Sequence, residues 1–240
     1  MQVVELQDAF GLENLVVSEK PQPEPREGQV LLRMKAASLN FRDLLMVRGL
    51  YNPKQKLPII PCSDGAGEVV ETGPGVTRVR VGDRVTPTFF QGWFSGRPTL
   101  EKASTTLGSP LNGVLAQYMV VREDAVVPVP GHLSLEQAAT LPCAALTAWS
   151  ALVVQGDVKA GETVLVQGTG GVALFALKFA KLLGARVIVI SSSDEKLERV
   201  REMGADHGIN YKSTPRWGRA ALDWTGGVGV DHVVELGGAV

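Results

Sequence analysis

Residues Thr163 to Ala173 read Thr-Val-Leu-Val-Gln-Gly-Thr-Gly-Gly-Val-Ala: an apolar β-branched run meets a glycine turn, and an apolar helical segment follows at once. In that setting a G-x-G-x-x-A pattern has a physical meaning. Gly168 permits a tight turn out of the strand. Gly170 puts no side chain between the backbone and a pyrophosphate, and Ala173 is small enough for the helix to lie close to the sheet. The helix N-terminus then offers unpaired N–H groups to the phosphates. Residues 172–183 are apolar apart from Lys178 and Lys181, Gly184 stands where a helix ends, and Arg186 to Ile190 read as a buried strand. The whole is one βαβ unit of about 30 residues. It predicts a dinucleotide site with Gly168, Thr169, Gly170, Gly171 and Val172 against the cofactor. The competing reading is a turn without ligand, since 27 glycines in 240 residues make chance matches common.

The end of the second strand bears on the cofactor. An Asp or Glu near this point takes the ribose 2′-hydroxyl of NAD. Here Ser191, Ser192 and Ser193 occur instead, with Lys196 following. Hydroxyls and an ammonium suit a 2′-phosphate, which a carboxylate repels. Ser191, Ser192 and Lys196 therefore favour NADP(H) over NAD(H), although Asp194 and Glu195 oppose it. Ser192 also reads as a helix N-cap with Glu195 completing a capping box; a cap site is an anion site as well, so both readings stand.

A net charge of -1 offers no basic excess for nucleic acid. No apolar run reaches the ~20 residues of a membrane span, and the N-terminus lacks the shape of a signal peptide. Two cysteines, Cys62 and Cys143, form no C-x-x-C pair, which points to the cytosol. The expected division is a β-rich domain, residues 1–129, and an α/β dinucleotide-binding domain, residues 130–240. The first shows strand-like runs at 29–35 and 67–71, a hairpin-like Gly82-Asp83 turn within 78–85, and an extended connector at Pro21, Pro23 and Pro25. In the second, Ser134 and Gln137 have capping-box spacing, a helix follows Pro142, residues 192–203 form an amphipathic helix, and strands fall at 209–211 and 231–235. A doubly wound sheet has about six strands. The chain reaches Val240 just past the fourth, which predicts a truncated chain lacking strands five and six.

Several motifs in order resemble the medium-chain dehydrogenase/reductase superfamily, in particular its zinc-independent quinone-oxidoreductase-like and alcohol-dehydrogenase-like members. They are residues 40–43 (Asn-Phe-Arg-Asp), 64–70 (Asp-Gly-Ala-Gly-Glu-Val-Val), 81–85 (Val-Gly-Asp-Arg-Val), 141–149 (Leu-Pro-Cys-Ala-Ala-Leu-Thr-Ala-Trp) and the glycine turn. The resemblance implies a GroES-like β domain followed by a Rossmann domain, and a longer chain whose last part returns to complete the first. It also implies a cytoplasmic oxidoreductase acting on a small molecule. Full-length relatives are homodimers paired through a sixth strand, so that dimer is not expected of these residues.

A catalytic zinc needs three protein ligands and an open position. In the family's zinc enzymes the first ligand is a cysteine, where this chain has Asn40. The second is a histidine, where it has Ser63; only Cys143 matches. The cysteine-rich structural lobe has no counterpart between Arg84 and Asn112. Neither zinc is expected. The resemblance places Asn40, Asp43 and Tyr51 around the cleft between domains: Asn40 to donate to a substrate oxygen or the carboxamide, Tyr51 as phenolic donor or, alternatively, packed under a loop beside Pro53, and Asp43 as a cap rather than a proton carrier. Leu45 holds the place of a second tyrosine. Thr147 is assigned to the nicotinamide or to packing, and Tyr211 to the adenosine phosphate or to an exposed loop. His132, His207 and His232 read as structural. The stretch 89–94 walls a pocket, fills a buried loop or meets a subunit. The expected activity is hydride transfer between NADP(H) and a carbonyl, quinone, enone or alcohol without zinc. The alternative is a non-catalytic dinucleotide-binding fragment or pseudo-enzyme.

Overall fold

The computed structural model describes residues 1–237, so the expectation drawn from the chain end at 238–240 lies outside the described residues. The chain divides into two compact units, Met1–Cys143 and Ala144–Val240. The sequence places the change of character at 130. The structural division comes later because a short helix after that point packs on the first unit's sheet.

That first unit runs β1 (Gln2–Leu6), β2 (Leu15–Glu19), β3 (Gln29–Ser38), α1 (Phe41–Val47), β4 (Asp64–Thr72), β5 (Arg84–Pro87), α2 (Leu100–Ala103), β6 (Tyr118–Arg122), β7 (Val126–Pro128) and α3 (Leu135–Ala139). β1 and β2 pair with each other, and the rest form an antiparallel sheet in the order β6-β3-β4-β5-β7. Val30, Leu32, Val69, Val85, Met119 and Val121 bury their side chains in its core, each contributing about 1.5–3 kcal/mol by transfer from water. Two register shifts of β3 against β4, at Leu31/Leu32 and Met34/Ala36, bend the sheet. Ala138 and Ala139 of α3 lie against Ala66 and Ala36, where small side chains let helix and sheet approach. The Ser134–Gln137 capping box forms as expected.

Two local expectations are corrected. Both β3 and β4 are longer than the runs visible in the sequence, whereas the turn expected within 78–85 is present and β5 begins at Arg84. Asp83 closes that turn, accepting from Arg80 N at 2.9 Å through Oδ2 and donating its own N–H to Arg80 O at 3.1 Å.

The segment before β4 is held by close backbone contact. Cys62 adopts a left-handed φ of 68°, unusual for a residue with a side chain. Gly113 N donates to Ile60 O at 2.7 Å and Val114 N to Cys62 O at 2.9 Å. A Cβ on Gly113 would lie 1.9 Å from Cys62 O, so only glycine fits.

The division between the units falls within a helical run at 141–155. The run is π-helical at Leu141–Ala145 and Ser150–Gln155, with α4 (Leu146–Trp149) between. It begins at Leu141, not after Pro142, because a first-turn proline lacks only an N–H that has no intrahelical partner there. Then come β8 (Thr163–Gln167), α5 (Gly171–Leu182), β9 (Arg186–Ser191), α6 (Asp194–Glu202), β10 (His207–Asn210), α7 (Trp217–Trp224) and β11 (His232–Val234). The strands are parallel in the order β10-β9-β8-β11, the first four positions of a doubly wound sheet. Strand alternation sends Val164, Val166, Val187 and Val189 to the face covered by α5 and α6. Leu165, Ile188 and Ile190 go to the face covered by α7. Both faces are dry, so the strands read as unbroken apolar runs.

The cap of α6 differs from expectation. Ser191 is still paired with Asn210 in β9, so the chain turns one residue later and Ser193 is the N-cap, accepting from Lys196 N at 3.3 Å. Lys196, not Glu195, occupies the third helical position, and no capping box forms. Among the described residues no helix is long and apolar enough to cross a membrane.

Replacing Gly113 by alanine is expected to destabilise the first unit by about 3 kcal/mol or more in urea unfolding. Gly131→Ala, at a site open to solvent, is expected to stay within about 0.5 kcal/mol. Equal effects would show that the contact at Cys62 does not constrain the fold.

Candidate functional site

In the first unit, β3 ends and α1 begins at Asn40. Asp43, in the first turn of α1, accepts from Asn40 N at 2.8 Å through Oδ2, which fulfils its expected capping role. Between them Arg42 turns inward, its side chain only 9 % exposed. It donates to Leu107 O at 3.0 Å and Ser109 O at 2.9 Å. Its guanidinium carbon lies 4.6 Å from the Tyr51 ring centre and 4.9 Å from that of Phe89. Asp43 Oδ1 is 3.9 Å from the guanidinium. At the start of β4, Asp64 is fully buried, taking Ser63 Oγ at 2.7 Å and Cys143 N at 2.9 Å. The Asn40 amide lies near enough to favour ionised Asp64, although Nδ2 has no partner at regular hydrogen-bond geometry.

One cation thus faces two buried carboxylates. Burial pushes both carboxyls up. At Asp43 the neighbouring Asp64 charge adds to the rise while the Asn40 N–H and Arg42 oppose it. At Asp64, Ser63, Asn40, the Cys143 N–H and Arg42 all oppose it. Burial and the same two carboxylates hold the Cys62 thiol at about 12, so it stays protonated. Tyr51 is half-exposed, held by its N–H on Leu45 O at 3.2 Å, and its hydroxyl has no hydrogen-bond partner among the described residues. The structure brings Asn40, Asp43 and Tyr51 together and adds Arg42 and Asp64, to which sequence reading assigns no role. The available signal was a charged residue at the head of an apolar glycine–alanine strand.

The aromatic stretch packs on itself, Phe89 on Phe90 at 4.8 Å and Phe90 on Trp93 at 5.1 Å, both edge-on, with Phe94 exposed. Among the described residues no three of His, Cys, Asp and Glu are grouped to hold a metal ion. His232 pairs with Glu162 at 2.9 Å and His207 stacks on Trp224, as structural histidines do.

In the second unit, Gly168 turns the chain with φ 81° while its N–H donates to Ile190 O at 2.8 Å. A Cβ at Gly168 or Gly170 would meet nothing within 4 Å, so the turn faces open space. Gly170 caps α5 without a side-chain acceptor, leaving first-turn N–H groups for a ligand. Thr169, Gly171 and Val172 complete the turn. Ser191 and Ser192 end the neighbouring strand, and Ser191 O takes Tyr211 N at 3.0 Å, so Tyr211 follows the third strand beside them. These residues gather at the carboxyl ends of adjacent parallel strands, where ligands of such sheets bind. Asp194 accepts from Asn210 Nδ2 at 2.8 Å and Glu195 pairs with Arg199 at 2.6 Å. Lys196 is exposed, and its ammonium has no partner among the described residues. Thr147 is exposed on α4.

Residues 26–131 match the Alcohol dehydrogenase GroES-like domain family and residues 171–240 the Zinc-binding dehydrogenase family. A Schizosaccharomyces pombe protein, "Zinc-type alcohol dehydrogenase-like protein C1773.06c", is 49% identical over 88% of this chain and 62% of its own length. The chain therefore spans less than two thirds of that relative. A solved NAD-dependent alcohol dehydrogenase is 37% identical with a TM-score of 0.89, over 97% of this chain and 70% of its own. Mycobacterial Rv1454c, complexed with NADPH, is 30% identical with a TM-score of 0.79, over 97% of this chain and 65% of its own.

The buried carboxyls make a signed prediction. Unfolded, both titrate near the ordinary aspartate value of 3.8. Between that value and their raised native values the folded state binds more protons. Their contribution to stability is complete below the unfolded value and falls as pH rises through the native ones. Asp43→Asn mimics the protonated carboxyl. Its stability relative to the unsubstituted protein is expected to rise as urea unfolding is carried from about pH 4 to about pH 9. A difference independent of pH would refute this.

Proposed function

This chain belongs to the medium-chain dehydrogenase/reductase superfamily, and on that premise we propose that it is a nicotinamide-dependent oxidoreductase moving hydride between NADP(H) and a carbonyl, quinone, enone or alcohol without zinc. The observation that carries the reading is the open glycine turn at the ends of parallel strands. Gly168 to Val172 hold a pyrophosphate through backbone N–H groups and the start of α5. Thr147 serves the nicotinamide and Tyr211 the adenosine end. The bound cofactor supplies the hydride chemistry.

NADPH is favoured over NADH because the local carboxylates are already occupied. Asp194 is engaged by Asn210 and Glu195 by Arg199, which leaves Lys196 and the serine hydroxyls to a 2′-phosphate. In the first unit Tyr51 offers its hydroxyl, and Asn40 a buried amide beside Asp64, to a substrate oxygen that gains negative charge. The donor set does not suit zinc. Asn40 and Ser63 bring a neutral amide and hydroxyl to the family's ligand positions, and the nearby Cys62 thiol stays protonated. No step is assigned to a metal.

Fluorescence titration tests the cofactor assignment. NADPH is expected to bind more tightly than NADH, and Lys196→Ala to weaken NADPH by about tenfold while leaving NADH unchanged. Equal affinities in the parent would remove the NADPH assignment. Absence of binding would leave the turn as inherited architecture and favour the non-catalytic fragment. With a benzoquinone or an enone as acceptor, Tyr51→Phe is expected to lower kcat by about 100-fold; an unchanged kcat removes Tyr51 from the site.

A further inference from the structure

We propose that Arg42 is a positioning residue that holds the Tyr51 ring in the orientation needed to meet a substrate oxygen, an assignment that rests on the oxidoreductase reading of that site. Three observations converge on it. The guanidinium carbon lies 4.6 Å from the Tyr51 ring centre and 4.9 Å from that of Phe89, so one planar cation contacts both rings. Its own place is set chiefly by main-chain atoms, Leu107 O at 3.0 Å and Ser109 O at 2.9 Å, with Thr106 Oγ1 at 3.5 Å. The loop carrying Tyr51 is tied to the same anchor. Ser109 Oγ donates to Gln55 Oε1 at 2.7 Å, and Asn52 Nδ2 reaches Ser109 Oγ at 3.4 Å.

The arrangement is more than packing demands. A buried cation is costly unless hydrogen-bonded or paired; Asp43 and Asp64 account for its charge, whereas charge alone does not require a flat face against two rings. What the planar cation adds is orientation and charge. Its flat face against a half-exposed ring limits how that ring can turn. Lysine keeps the charge but loses the flat fork and the two-point anchorage, so Arg42→Lys separates positioning from charge.

The test uses the 240-residue chain with 3-fluorotyrosine at its three tyrosines, Tyr51, Tyr118 and Tyr211, the Tyr51 resonance being assigned by Tyr51→Phe. Arg42→Lys is expected to move the Tyr51 fluorine resonance and leave the other two in place. NADPH affinity should stay the same, and kcat for benzoquinone reduction should fall by about 100-fold, the effect of roughly 1 Å of misplacement. In a Tyr51→Phe background the same change should cost no further kcat, because the hydroxyl it positions is gone. An unmoved Tyr51 resonance, a common shift of all three, or an equal loss of kcat in both backgrounds would overturn the proposal. Should Arg42→Lys fail to fold, the unsubstituted protein decides it: a nuclear Overhauser contact between the Arg42 guanidinium protons and the Tyr51 ring supports the proposal, and its absence ends it. A parent chain that shows the NMR signature but turns over no acceptor would leave the contact standing and remove the oxidoreductase reading.

Discussion

Burying one guanidinium beside two carboxylates is the demand around which the first unit is arranged. Ions taken out of water cost several kcal/mol each unless neighbouring groups replace the solvent. Here the replacements are largely backbone: the carbonyls of Leu107 and Ser109 for Arg42, the N–H of Asn40 for Asp43, and the N–H of Cys143 for Asp64. Those groups come from three separate stretches of chain. The charge cluster therefore ties together the start of α1, the head of β4, the loop at 106–109 and the last residue of the unit. The close passage of Gly113 against Cys62 holds the approach to Asp64 in place.

The second unit obeys a different constraint. Its parallel strands must be covered on both faces, and strand alternation divides their valines, leucines and isoleucines between α5 and α6 on one side and α7 on the other. Its carboxyl edge is left for polar work. There the chain spends its conformational latitude on Gly168, whose positive φ turns the strand toward α5 and leaves backbone N–H groups as the main polar feature of the turn. Sheet packing and an open turn lined by backbone N–H groups are thus two consequences of one strand–turn–helix geometry.

Much of the second unit was legible in the sequence because its signals are local. Apolar runs, glycines at turns and helix-capping residues act within a few positions of one another. Local reading erred where hydrogen-bond competition decided boundaries. The continued pairing of Ser191 moved the α6 cap from Ser192 to Ser193. In the first unit, Asp43 was readable as a cap because its partner is three residues away. Arg42 was not, because its partners lie at Tyr51, Phe89, Leu107 and Ser109.

The sequence by itself determined the order of a β unit and an α/β unit and the glycine turn, with serines and a lysine placed after the next strand. Each depends on residue type and short-range spacing, which a linear reading preserves. Only the tertiary structure decided that Asp64 is buried with Arg42 and Asp43, that a guanidinium stacks on Tyr51, and that the carboxylates near Lys196 have partners of their own. Burial and pairing across distant segments depend on where the chain returns in space, which the spacing of residues along it does not encode.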